Sequence, residues 1–177
     1  MIRKAVEGDV RRVAEIYERI HDLEESGAGS TGWRRGVYPT QATAREALRA
    51  GELFVDVREG RVVAAARINR EQVPEYALAA WSENPPENEI MVLHTLVVDP
   101  DMAGRGVGAG FVAFYEQYAA HNGCAYLRMD TNQRNLRARA LYRRLGYREA
   151  GVVPCSFNGL GVVGLVCLEK TLEGCGA

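Results

Sequence analysis

The chain has 177 residues, of which 47% are hydrophobic and 25% charged, and its 22 basic side chains nearly balance its 23 acidic ones. This composition excludes a disordered chain, and the balanced charge argues against a protein that binds nucleic acid or a membrane surface through bulk charge. No segment approaches the roughly 18 consecutive apolar residues of a membrane span. The N-terminal segment lacks the apolar stretch of a signal peptide, so we expect a cytoplasmic protein without nucleic-acid or membrane partners.

The first part of the sequence predicts two helices followed by a hairpin. Apolar residues recur at spacings of three and four over residues 10–23, which indicates an amphipathic helix with Asp9 as its N-cap. A second helix is predicted over about residues 40–50, ended by Gly51. Two apolar runs flank a Glu-Gly turn within residues 53–68 and predict an antiparallel hairpin.

The remainder predicts a mixed sheet with two more helices. Residues 70–89 contain three prolines and are interpreted as a surface excursion, whereas the apolar run 90–98 predicts a central strand buried on both faces. The further predicted elements are a helix at 107–121, a strand at 125–129, a helix at about 135–145 and strands at 147–153 and 162–170. We therefore predict one α/β domain with a mixed sheet over residues 1–177.

The cysteines and histidines give no sign of a metal site. The four cysteines and three histidines are scattered along the chain without the close spacing of zinc ligands. In a reducing cytosol the cysteines are expected to be packing residues or surface thiols. We predict no metal.

The loop at residues 99–110, DPDMAGRGVGAG, carries the clearest chemical signal. It joins a predicted strand to a predicted helix, and its glycines let backbone amides approach a ligand closely. The first amides of a helix lack intrahelical acceptors, so the loop predicts a phosphate or pyrophosphate site, although tight turns also need glycine. It lacks the ending of a Walker loop, and its place beyond mid-chain does not suit a dinucleotide-binding fingerprint.

Three segments together resemble the GNAT N-acetyltransferase superfamily. They are LHTLVVDP at 93–100, GRGVG at 104–108 and NLRARALYRRLGY at 135–147. The family's loop pattern, Gln/Arg-x-x-Gly-x-Gly/Ala, has Ala103 at its first position here. Its second motif, Asn-x-x-Ala-x-x-Leu-Tyr-x-x-x-Gly-Tyr, is matched nearly throughout. The order of predicted elements also agrees over nearly the whole chain, so the resemblance implies a single acetyl-coenzyme A-dependent domain.

The resemblance implies a cofactor site made largely of backbone. The pyrophosphate of coenzyme A is expected on the loop residues Gly104, Arg105, Gly106, Val107, Gly108 and Ala109. The end of the central strand, at Leu96, Val97 and Val98, is expected to pair with the pantetheine, with an amide near Leu96 polarising the thioester. Asn135 is expected near the pantetheine or the phosphates, and it suits a helix N-cap equally well.

The resemblance further implies that Tyr142 protonates the departing thiolate. A phenol with a pKa of about 10 stays protonated at neutral pH, although an ordinary helix tyrosine would give the same residue. The resemblance does not identify the general base that deprotonates the amine, because the region around Val92 lacks the strand glutamate that several family members use. His94 titrates in a suitable range, but a lone histidine in an apolar strand is also typical of a core. Glu89 is a second candidate.

The acceptor site is expected in three variable segments, residues 24–39, 70–89 and 154–159. Trp33 and Tyr38 in the first of them either contact the acceptor or cap the core. One or two of the arginines around the last helix are expected to meet the 3′-phosphate of coenzyme A, and the others to be solvated.

We therefore expect an enzyme that transfers acetyl from acetyl-coenzyme A to a primary amine of a small molecule or peptide by direct attack in a ternary complex. The alternative is a coenzyme A-binding sensor or scaffold without turnover. The sequence leaves open both the acceptor and a homodimer.

Overall fold

The computed structural model describes residues 1–156 and 161–172. Their helices and strands, in chain order, are β1 (Ile2–Lys4), α1 (Val10–Glu25), α2 (Gln41–Arg49), β2 (Leu53–Arg58), β3 (Arg61–Asn69), β4 (Ile90–Val98), α3 (Val107–His121), β5 (Tyr126–Asn132), α4 (Leu136–Arg144), β6 (Arg148–Ser156) and β7 (Val162–Thr171). The strands form a sheet in the order β1-β2-β3-β4-β5-β7-β6. Because β4 and β5 are parallel while the pairs β1–β2, β2–β3, β5–β7 and β6–β7 are antiparallel, the predicted α/β fold with a mixed sheet is confirmed.

The chain divides into two compact units. The first comprises Met1–Ile68 with His94–Phe114, and the second comprises Asn69–Leu93 with the described residues from Tyr115 onward. Strand β4 thus supplies residues to both. That residues 1–177 form one domain stays a prediction.

The core of the first unit forms where α1 and α2 bury their apolar faces. Its fully buried members include Val13, Ile16, Ala44, Val55 and Val97. Burial of each large aliphatic side chain contributes about 1.5–3 kcal/mol, so packing rather than helix propensity stabilises such helices. The turn chemistry follows the sequence, since α2 is capped by the hydroxyl of Thr40 and is followed by a glycine at φ 70°.

The predicted capping role of Asp9 is wrong. Asp9 directly precedes α1, but its carboxylate accepts hydrogen bonds from the Arg3 guanidinium at 2.7 Å and the Val6 amide at 2.8 Å, and it caps no amide of α1. Arg3 belongs to β1, which the sequence analysis missed because three residues show no periodicity. The ion pair competes successfully for the carboxylate and lowers the pKa of Asp9.

The second unit has a core of its own, and the predicted surface excursion is wrong where it supplies this core. Tyr76 is only 2% exposed and packs edge-on against Trp81, with ring centroids 5.2 Å apart. These rings join Ile90, Val92 and Cys167 in one cluster. The prolines in this segment do mark irregular backbone, since Pro74 begins a short 3₁₀ turn rather than a helix.

Strand β4 is less regular than predicted. The strand was expected to be buried on both faces. Residues 90–93 are indeed buried, but residues 94–96 are only half-buried. Thr95 has φ 52°, a left-handed conformation that interrupts the alternation of side chains along a strand. The side chains of His94 and Leu96, on either side of Thr95, therefore do not follow the regular alternation of a strand.

Candidate functional site

Strand β4 leads into α3 through a loop that presents backbone amides. Gly104 and Gly106 have φ 77° and 75°, which glycine adopts freely. Within the described residues, the amides of Val107, Gly108 and Ala109 donate to no backbone acceptor. These amides stand at the positive end of a 15-residue helix, so the loop is suited to bind an anion.

Asp99 anchors the start of this loop to α1. Its carboxylate is buried, accepts hydrogen bonds from Arg12 and Arg19, and also accepts from the Asp101 amide at 3.2 Å. Arg19 continues to the Asp101 carboxylate at 2.7 Å, and this hydrogen bond lowers the pKa of Asp101. The network fixes the backbone just before the glycines. The sequence indicated the Asp-Pro turn but not its arginine partners.

The strand residues proposed for the pantetheine use their side chains for packing. Val97 is 2% exposed within the first core, and Leu96 and Val98 are half-buried. Beyond them the Asp99 amide donates to the Val63 carbonyl at 2.8 Å. Their predicted contacts with the pantetheine would be made by the main chain, so this packing is compatible with that role, which stays a prediction.

The two aromatic candidates for the acceptor site differ in their packing. Trp33 packs against the first core and meets Tyr38 edge-on, with centroids 5.8 Å apart. This packing favours the interpretation of Trp33 as a core cap. Tyr38 forms a hydrogen bond through its hydroxyl with that of Thr95. Acceptor binding by Trp33 and Tyr38 stays a prediction.

The base candidates of the sequence analysis are partly accessible. His94 is half-buried in β4, directly before the left-handed Thr95. Glu89 is also half-buried and closes the short 3₁₀ turn Glu87–Glu89 ahead of β4. Their catalytic roles stay predictions.

Helix α4 carries the two motif residues expected at the site. The side chain of Asn135 accepts from the Ala138 amide at 3.1 Å, which confirms its N-cap role. Tyr142 is 6% exposed, and its ring meets Tyr147 at a centroid distance of 6.1 Å. Burial, reinforced by the negative charge of Asp130, raises the pKa of Tyr142 and keeps its hydroxyl protonated at neutral pH.

The arginines around α4 fall into two groups. Arg139 is held by the Glu149 carboxylate, with two contacts of 2.8 Å, and Arg148 is held by Glu169. Of the arginines around α4 in the described part of the chain, three are exposed and form no ion pair: Arg134, Arg137 and Arg144. These three become the candidates for the predicted 3′-phosphate contact.

A partly buried polar pair in the second unit was not predicted from the sequence. The Tyr76 hydroxyl donates to Oδ2 of Asp130 at 2.8 Å, and burial raises the pKa of Asp130 to about 6. Beside Tyr76, Glu75 accepts from the Cys155 thiol at 3.4 Å, and burial raises the pKa of that thiol to about 11. Tyr76 and Asp130 lie 54 positions apart, and no local pattern connects them.

The described residues show neither a metal-binding group nor a membrane-spanning helix. They contain no group of three or more His, Cys, Asp or Glu side chains arranged to hold a metal ion. No helix among them has both the length and the apolar character needed to cross a bilayer. The proposed acceptor segment 154–159 lies partly outside the described residues.

The fold of the chain is also found in solved structures of acetyltransferases. A GNAT-family acetyltransferase from Streptococcus agalactiae has the same fold, with a TM-score of 0.81 at 19% identity over 98% of this chain and 95% of that one. So has yncA from Salmonella typhimurium, solved with its cofactor acetyl-CoA, with a TM-score of 0.67 at 17% identity over 100% and 96% of the two chains.

The sequence comparison identifies the family. The family model described as acetyltransferase (GNAT) family matches residues 13–147, so the chain belongs to this family. The uncharacterized N-acetyltransferase MJ1207 of Methanocaldococcus jannaschii is 33% identical over 73 residues, which are 41% of this chain and 32% of that protein. The match thus spans about a third of that relative's length. The thialysine N-epsilon-acetyltransferase of Bos taurus is 24% identical over 155 residues, 84% of each chain.

Proposed function

We propose that the chain transfers an acetyl group from acetyl-coenzyme A to a primary amine of a small molecule or peptide by direct attack in a ternary complex. The observation that carries this proposal is the set of unpaired amides at Val107, Gly108 and Ala109, where a glycine loop follows β4. Family membership supports the coenzyme A pyrophosphate as the anion that this loop would bind.

The residues present fit this co-substrate. The glycines before α3 carry no side chain, and a Cβ placed on Gly104 or Gly106 would have no atom within 4 Å, so the space beside these two glycines is open. Three exposed arginines near α4 are available for a further phosphate. Acetyl-coenzyme A supplies the thioester that serves as the acyl donor.

The remaining roles belong to groups of this chain. An amide near Leu96 would hydrogen-bond the thioester carbonyl and stabilise the charge that develops on its oxygen. Tyr142 would donate a proton to the sulfur as the carbon–sulfur bond breaks, because its hydroxyl stays protonated across the neutral range. Tyr38 would contact the acceptor from the loop before α2.

The test is the release of coenzyme A thiol over a panel of amines, with acetyl-coenzyme A binding followed by calorimetry. The panel includes lysine and thialysine because the bovine relative is named for the latter. We expect saturable binding and acceleration of thiol release by at least one amine, measured against hydrolysis without amine. Tight binding without acceleration would favour the sensor or scaffold instead, and absence of binding would contradict both.

A further inference from the structure

Asp130 occupies a special place on β5. The parallel register between β4 and β5 consists of four pairs, and the last of them is Leu93 with Met129. Asp130 is therefore the first residue of β5 beyond that register, and its antiparallel partner on β7 is Cys167. The residue as a whole is half-buried, and burial of its carboxyl group raises its pKa.

Tyr76 orients this carboxylate. Its hydroxyl donates to Oδ2 of Asp130 at 2.8 Å, and its ring is held edge-on by Trp81. Trp81 in turn donates its indole N–H to the Tyr76 carbonyl at 2.7 Å. The Arg128 guanidinium lies over the Trp81 ring, at 4.1 Å from the ring centroid. The Tyr76 hydroxyl, fixed in this way, holds Oδ2 of Asp130 and leaves Oδ1 available to accept a proton.

The surroundings of Asp130 supply negative and weakly acidic groups. Facing it are Tyr76 and Glu75 from the 3₁₀ turn, Cys155 from β6, Cys167 from β7 and Tyr142 from α4. Arg128, on the same strand, is bound to the Gln72 side chain and the Glu83 carbonyl.

Among the described residues, no Lys or Arg forms an ion pair with Asp130 or Glu75. A partly buried carboxylate without a cation is costly, because burial removes solvation without supplying a counter-charge. An ammonium group from outside the chain would supply that counter-charge.

We propose that Asp130 is the general base for the acceptor amine and that Tyr76 is its positioning residue. This inference rests on the proposed function and deepens it, since it names the acceptor as an alkylammonium. The ammonium nitrogen loses two protons as it becomes an amide. The first passes to Asp130 and on to solvent, which frees the lone pair that forms the carbon–nitrogen bond. The second ends on the coenzyme A sulfur, because Tyr142 donates its proton there and recovers one from the nitrogen through water.

The first test compares two acceptors at pH 7 in Asp130→Asn. Asparagine keeps the hydrogen bond from Tyr76, and acetyl-coenzyme A affinity by calorimetry verifies the fold. With an alkylamine, which is protonated at pH 7, we expect a loss of about 100-fold or more in kcat/KM. With methoxyamine, which is already neutral, the loss should be less than about 10-fold, because no base is needed. Equal losses with both acceptors, or no loss with either, would overturn the assignment.

The second test measures the pKa of Asp130 directly, by carboxyl-carbon NMR of the protein without substrates. Tyr76→Phe removes a hydrogen bond to the charged form, so the pKa should rise. Glu75→Gln removes a neighbouring negative charge, so the pKa should fall. The acidic limb of kcat/KM should move with it in each variant. Glu87→Gln, which changes an exposed carboxylate ahead of β4, is the matched control and should move neither.

The outcomes separate this inference from the proposed function. Suppose that the wild-type protein accelerates thiol release with amines, but that the acidic limb of kcat/KM does not move in Tyr76→Phe or Glu75→Gln. Asp130 is then not the base, and the transferase proposal survives. If the limb moves only in His94→Gln, His94 is the base. If wild-type protein uses no amine at all, both proposals fail.

Discussion

The hydroxyl groups of Tyr38 and Thr95 are hydrogen-bonded to each other. Thr95 is a β-branched residue at φ 52°, a conformation that costs about 1–3 kcal/mol and persists only where its surroundings enforce it. Tyr38 lies in the loop between α1 and α2, so this bond fixes the loop to the irregular point of β4. The loop expected to contact the acceptor is thereby tied to the strand expected to contact the acyl donor.

Replacement of Tyr38 by Phe tests this bond. We expect the free energy of unfolding to fall by about 1 kcal/mol in denaturant titrations, because one hydrogen bond is lost and the ring still packs. The KM for the amine should rise while acetyl-coenzyme A affinity is unchanged. Tyr126→Phe is the control, since that hydroxyl only meets an exposed Glu83 carboxylate at 3.1 Å. Equal stability of the Tyr38 variant and wild type would contradict the structural role.

Asp99→Asn should disturb the loop between β4 and α3 by weakening its anchor to α1. The change removes a buried charge that accepts hydrogen bonds from Arg12 and Arg19 and that Arg61 approaches at 3.6 Å, and hydrogen bonds to charged groups are worth about 1.5–3 kcal/mol. We therefore expect a loss of unfolding free energy in this range, together with weaker acetyl-coenzyme A binding by calorimetry. The control Asp101→Asn changes a side chain that is 68% exposed, and its effect should be clearly smaller. A larger effect at Asp101 would show that the anchor lies there.

Gly108→Val tests the amide cradle. Gly108 is the second residue of α3, and a β-branched side chain there would crowd the space in front of the first amides. We expect acetyl-coenzyme A affinity to fall more than 10-fold, about 1.4 kcal/mol, in calorimetry. In the control Gly110→Ala, the added Cβ has no atom within 4 Å, so affinity should persist and stability should rise by about 0.5–1 kcal/mol. Unchanged affinity in a folded Gly108 variant would overturn the pyrophosphate assignment.

Tyr142→Phe deletes the proposed acid and little else. The ring should still pack on Tyr147, so stability and coenzyme binding should change little. Single-turnover acetyl transfer at saturating acetyl-coenzyme A should slow about 100- to 10,000-fold. Tyr147→Phe, the neighbouring ring, is the control and should retain the rate. A loss that merely follows acetyl-coenzyme A affinity would make the Tyr142 hydroxyl a binding group.

Asp130 should also leave a signature in the pH dependence of stability. Its pKa is about 6 in the folded protein but about 3.9 for an unfolded aspartate, so between these values the folded state binds more protons. The contribution of Asp130 is therefore fully present below about pH 4 and is lost as the pH rises through about 6. The Tm of the wild type should therefore fall relative to the Tm of Asp130→Asn as the pH rises over that range.

Asp9→Asn is the control for this pH dependence. The pKa of Asp9 is lowered by the Arg3 ion pair, so its stabilising contribution is complete above about pH 4 and disappears only below it. The difference in Tm between wild type and Asp9→Asn should therefore be flat where that of Asp130→Asn changes. A flat profile for both variants would show that Asp130 titrates normally.

The sequence predicts those features that neighbouring residues determine. Helix α3 was predicted over 107–121, because a glycine loop and an apolar stretch mark its ends locally, and the structure has it at Val107–His121. The pair of Tyr76 and Asp130 was not predicted, because their contact depends on how a proline-rich segment folds back on β5. Asp9 shows the same limit, since a carboxylate suited to a local cap was taken by an arginine in an unpredicted strand.

The cradle at the start of α3 binds, by our proposal, through atoms that every amino acid possesses. A substitution at Arg105 or Val107 changes a side chain but leaves the N–H in place, so drift in sequence does not erase this surface. The positions under constraint are the glycines with φ near 75°, which set the path of the backbone, and Gly108, where a large side chain would crowd the amides. Such a surface depends on the fold more than on the side chains, and the fold itself is shared with the Streptococcus agalactiae protein at 19% identity. Selection is then free to reshape the acceptor side while the donor side is inherited intact.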